Sequence, residues 1–231
     1  MPLAIVSQRT AALVNRSEIG GRREPVNGWF HFAGAALACI GLILLIREAH
    51  ARGTIRHLVS ATTFGATAFF MFAASALYHL RPASPRQRLY QRLDHAMIYV
   101  FIAGTYTPLC LITLWPGTDA VLLLLSVWML AAIGMLLDLT GRPLRRGQAT
   151  AFYLAMGWAV LFLLPALRGH PRLVDWLLTG GLFYTVGALA YWRQRPRRRV
   201  GPIGFHEFWH LCVIVASASH FWAIFAYVIA R

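Results

Sequence analysis

Ser75 and His79, Asp94, and the pair His206 and His210 are the residues of this chain whose types and spacing suit metal chemistry. His206 and His210 are four positions apart, so on a helix they share a face about 5–6 Å from each other. Two imidazoles at that spacing can converge on one ion, each nitrogen ~2.0–2.1 Å from it. Ser75 and His79 repeat the spacing. Three histidines and a water make the open tetrahedral arrangement of catalytic zinc (Zn2+), with the water available as nucleophile. Asp94 is the acid that could orient a histidine or hold that water. The string His206-Glu207-Phe208-Trp209-His210 also matches HExxH, in which the glutamate is the general base of a zinc protease. That reading requires Glu207 to matter. Otherwise Glu207 is an acid at a helix start, where it suits the dipole. A histidine near the end of an apolar span is in isolation often only interfacial, so a site requires all three to be carried to one place.

The elements that would carry them are membrane spans. The chain has 231 residues, 58% hydrophobic and only 13% charged. Its mean hydropathy is +0.56. A soluble domain carries roughly twice that share of charge. Seven runs are long enough to cross a bilayer, at approximately 27–46, 57–80, 94–114, 119–138, 150–167, 173–192 and 205–230. Proline and glycine punctuate the breaks: Arg81-Pro82-Ala83-Ser84-Pro85-Arg86, Trp115-Pro116-Gly117, Gly141-Arg142-Pro143, Gly169-His170-Pro171, and Pro196 through Gly204. No period-2 barrel pattern is present, so helices are the spanning structure left. The expectation is an all-α, polytopic, seven-transmembrane helix bundle, residues 27–231, after a cytoplasmic tail of residues 1–26. That tail lacks a sustained apolar core and carries Arg9, Arg16, Arg22 and Arg23, so no cleavable signal peptide is expected.

Every basic residue is arginine, and the formal net charge is +14. The arginines are divided among short loops, which is a topology signal and argues against nucleic-acid binding. Sixteen of the 22 lie in the tail or in the loops after spans two, four and six; Arg47, Arg52, Arg56, Arg168, Arg172 and Arg231 are on the other side. The amino terminus is therefore expected in the cytoplasm and the carboxy terminus outside, in a bacterial inner membrane. Span two then ends inside, and spans three and seven begin there. Ser75, His79, Asp94, His206 and His210 reach one end of the bundle, within roughly 10 Å of the same depth at helical rise. Glu24, Asn27 and His31 lie near that depth on span one, as cavity lining, caps or interfacial groups. His95 should point roughly 100° away from Asp94 around its helix. His50, His57 and His170 belong to outer loops, and His220 is ~21 Å beyond His206 along span seven. Cys39, Cys110 and Cys212 are expected as buried free thiols. Trp29, Trp115, Trp176, Trp192 and Trp209 lie near span ends, as an interfacial belt requires.

Four segments together resemble the hemolysin III family, the bacterial branch of the progestin and adipoQ receptor group that includes the adiponectin receptors. They are Glu24-Pro-Val-Asn27 to His31, Ser75-Ala-Leu-Tyr-His79, Asp94-His95 through Ala103-Gly-Thr-Tyr-Thr-Pro108, and Phe205-His-Glu-Phe-Trp-His210. The resemblance runs in order from about residue 24 to the end. It implies seven helices, a cytoplasmic amino terminus and a zinc ion near the cytoplasmic face. It would make His79, His206 and His210 the zinc ligands, Asp94 the residue that holds or activates a water, and Ser75 the motif serine beside it. The wider superfamily includes alkaline ceramidases, which implies membrane lipids as surroundings and a lipid amide or ester as substrate. The family's name comes from a haemolytic, pore-like activity, and the alternative expectation is a non-enzymatic pore-forming or lipid-sensing protein with a structural zinc joining spans two and seven.

Overall fold

The computed structural model describes residues 25–82, 84–195 and 203–230. Seven α-helices follow one another among them: α1 Pro25–Arg52, α2 Ile55–Leu80, α3 Gln87–Pro108, α4 Thr118–Leu139, α5 Arg146–Trp158, α6 Pro171–Arg193 and α7 Phe205–Ile224. All except α5 are long and apolar enough to cross a membrane, some with their short extensions. The expected tail, with Glu24, lies outside the described residues.

Helices stop where the backbone is forced to turn. Thr54 caps α2, its hydroxyl accepting the His57 N–H at 3.3 Å. Arg81 takes up an extended conformation (φ −72°, ψ 144°), as a residue before proline must, and ends α2. Pro171 opens α6, where its missing N–H costs nothing. Gln194 closes α6 in the left-handed region at φ 51°. Pro108 does not break α3; the chain continues into a wide π-helical turn, Leu109–Thr113.

Neighbours in sequence are neighbours in space. The extensive pairings are α1 with α2, α2 with α3, α3 with α4, and α6 with α7, and α1 also meets α7. Small residues let the backbones approach. A Cβ on Gly28 of α1 would lie 2.5 Å from Leu80 Cγ, and one on Gly104 of α3 would collide with Thr67 of α2. The outward faces are apolar. Leu122, Leu125, Met129, Ile133 and Leu136 recur every three to four positions on α4 and are all exposed, which water would penalise and lipid accepts. Cys110 and Cys212 are buried free thiols as expected, but Cys39 is on the exposed face of α1, because Gly34, Ala35 and Gly41 take the inner one.

Three spans differ from the hydropathy reading. Helix α1 runs on to Arg52, with an exposed Glu48–Arg52 pair at 3.2 Å. His50 and His57 therefore sit on helices rather than in a loop, and His57 and His170 are half-buried rather than solvated. Helix α3 begins at Gln87, so Asp94 stands two turns inside it. Hydropathy detects the bilayer-immersed part of a helix and misses its polar continuation. The fifth run is not one α-helix: α5 stops at Trp158 and a 3₁₀ segment, Ala159–Leu163, follows.

The cause of that change is Tyr106. Its hydroxyl donates toward the carbonyls of Met156 and Gly157, 2.7 Å from each, and accepts the Val160 N–H at 2.9 Å. It thus occupies the place of the Val160-to-Met156 helical bond. At ~1.5 Å per α-helical and ~2.0 Å per 3₁₀ residue, Arg146–Leu163 still extends about 30 Å, a bilayer core's thickness. Tyr106→Phe should cost about 1–3 kcal/mol, because a buried N–H and carbonyl lose their bridge. Thermal unfolding in detergent should show a midpoint several degrees lower. An unchanged midpoint would mean that the helix simply closes its own ladder.

Candidate metal centre

Helix α2 brings Ser75 and His79 to its last two turns, both buried. Helix α7 brings His206 and His210 to its first two turns, with His210 buried and His206 half-buried. Glu207 fixes where α7 starts: its Oε2 accepts the Gly204 N–H at 2.8 Å, satisfying a helix-end donor.

The three histidine rings converge. Ring centroids are 5.2 Å apart for His79 and His206, 4.9 Å for His79 and His210, and 4.7 Å for His206 and His210. One nitrogen from each lies within 4.8 Å of one nitrogen from each of the others. Tetrahedral coordination at ~2.05 Å needs nitrogen separations of about 3.3–3.4 Å, within reach of small ring rotations. The Nε2 atom of His210 is buried and has no hydrogen-bond partner among the described residues. Leaving such an atom bare costs about 1–3 kcal/mol, which an ion would offset. An all-imidazole donor set suits zinc, copper, nickel or iron. These residues therefore fit a metal ion.

The other expected site residues are placed differently. Ser75 is one turn before His79, and its buried hydroxyl likewise has no partner among the described residues. Asp94 is half-buried on α3, and the converging group does not include it. Glu207 caps the start of α7 and is not one of the converging groups. His220 stays away from the group: its Nε2 lies 3.2 Å from the Leu177 carbonyl on α6.

Two features exceed the sequence reading. His31 of α1, one of several residues placed near that depth, is a buried direct partner of the group: its Nε2 is 2.7 Å from His210 Nδ1. Asp138, at the end of α4, is a buried carboxylate whose Oδ2 has no partner among the described residues. Gly134, one turn earlier, abuts Tyr99, whose ring packs tilted against Tyr153 with centroids 4.5 Å apart; the Tyr153 hydroxyl donates to the His95 carbonyl at 3.3 Å. The signal for Asp138 was available, since an acid at the end of an apolar run is a candidate by default.

Comparison with known proteins gives the family. The sequence pattern of the family described as "Haemolysin-III related" matches residues 20–221. "Hemolysin-3" of Bacillus cereus is 34% identical over 213 residues, 90% of this chain and 93% of that protein. "Hemolysin-3 homolog" of Bacillus subtilis (strain 168) is 31% identical over 211 residues, 90% and 95% of the two chains. The "Monocyte to macrophage differentiation factor" of Homo sapiens is 27% identical over 177 residues, 74% of this chain and 71% of that protein.

Proposed function

We propose, from the premise that this chain belongs to the haemolysin-III-related family, that it is a multi-pass membrane protein holding zinc and hydrolysing lipid amides or esters. The observation that carries the reading is the convergence of His79, His206 and His210 from two helices onto one point. Orientation is read from arginine: the amino-terminal tail, the loops after α2, α4 and α6 and the helix ends beside them carry 16 of the 22, which favours a cytoplasmic amino terminus and a site near the inner face.

Zinc on three imidazoles would supply a Lewis acid and a water of lowered pKa, ~7. Asp94 is the residue to take a proton from the attacking water. It returns that proton to the leaving nitrogen or oxygen as the acyl bond breaks, giving a fatty acid and an amine or alcohol. Ser75, one turn before His79, would hydrogen-bond the acyl oxygen or the water. The apolar helix faces give the fatty chain a route from the bilayer without crossing water.

A second reading keeps zinc as a clasp between α2 and α7 in a pore-forming or lipid-sensing protein. The names of the Bacillus relatives favour it. One experiment separates the two. Zinc-loaded and chelator-stripped protein in lipid nanodiscs is given an N-acyl lipid and an ester lipid, and free fatty acid is measured. Release by the loaded form alone is the expected result. No release from a protein that holds its zinc, with a lower melting midpoint after stripping, would replace the hydrolase by the clasp.

A further inference from the structure

We propose that His31 is a positioning residue for the metal site: when an ion binds, it accepts the Nδ1–H of His210 and so stabilises the tautomer whose Nε2 is a lone-pair donor. This rests on the metal reading above and adds a residue from a third helix to it. The two rings meet edge to face, centroids 4.1 Å apart at 85°, and the Nδ1–Nε2 separation of 2.7 Å is that of a short hydrogen bond. Both residues are buried, so water does not compete for the bond.

A hydrogen bond between two neutral imidazoles has two arrangements. If His210 donates from Nδ1, its Nε2 carries a lone pair and can ligate. If His31 donates from Nε2, the proton of His210 sits on its own Nε2, and the ring cannot ligate. Each arrangement leaves one N–H in a buried place, because neither His31 Nδ1 nor His210 Nε2 has a hydrogen-bond partner among the described residues. The metal-free protein therefore has no strong preference, and an ion selects the first arrangement. A metal-ligating histidine commonly donates its other N–H to an oxygen; here another imidazole is the acceptor. Helix α1 is pressed close enough for this because Gly28 admits Leu80, the residue after His79.

The test compares His31→Phe, which fills the space without a hydrogen bond, with His31→Gln, whose amide oxygen can accept one. Zinc affinity is measured by chelator competition, the cobalt-substituted proteins are compared by visible spectrum, and melting midpoints control for folding. His31→Phe should bind zinc about 10–100-fold more weakly and change the cobalt bands, while His31→Gln recovers most of both. In the wild type, ring-nitrogen NMR should show His210 protonated on Nδ1 when zinc is bound, a readout independent of any variant. Equal affinity in His31→Phe and wild type, or a zinc-bound His210 protonated on Nε2, would overturn the proposal. Equal loss in both variants at unchanged melting would reduce His31 to packing and overturn it too. If the wild type itself binds no metal, the metal reading fails; if it binds and His31→Phe binds equally, only the role of His31 fails.

Discussion

His210→Ala protein, purified in mild detergent, is expected to contain no metal by elemental analysis, against an expected one zinc or so per wild-type chain. The size of the effect follows from what His210 touches. It is the ring nearest both others, at 4.9 Å from His79 and 4.7 Å from His206, and it is bonded to His31. Its removal leaves two ligands on different helices and a third imidazole with nothing to orient. Structural zinc sites with four ligands are worth roughly 10–16 kcal/mol, so one ligand accounts for about 3–4 kcal/mol. A loss of that size is a factor of about 10²–10³ in affinity, enough to empty the site during purification. His79→Ala should have a comparable effect, because it takes away the only ligand from α2. Full occupancy in His210→Ala would remove this residue from the ligand set and make the HExxH-like spacing a coincidence.

The convergence was legible because topology and spacing supplied it independently. Alternation of the spans brought the end of span two and the start of span seven, with His79 and His206, to one end of the bundle, and the i, i+4 rule added His210. Other features depend on contacts between helices distant in sequence. No pattern in one segment says that a Tyr106 hydroxyl enters the backbone of α5, 50 residues on. Likewise, depth put His31 near the site, but only packing decides that it touches His210 rather than lining a cavity. The start of α3 was misplaced for another reason. Residues 87–93 are arginine-rich and polar, so they form helix outside the apolar run and are silent in hydropathy.

Asp94→Asn is expected to keep its zinc and to lose turnover by about 10²–10⁴-fold, the usual worth of a general base. The substitution retains the size of the side chain and removes its charge. Because Asp94 is not among the converging groups, metal content should stay at the wild-type level. An unchanged melting midpoint separates that loss from a collapse of the fold. The variant therefore separates holding the ion from using it, which no histidine substitution can do. If metal disappears with the carboxylate, Asp94 is a ligand and the site is closed, as a clasp would be. If the metal remains and fatty-acid release continues at the wild-type rate, the base lies elsewhere. Buried Asp138, across the α3–α4 packing with an unpartnered oxygen, is then the next carboxylate to replace.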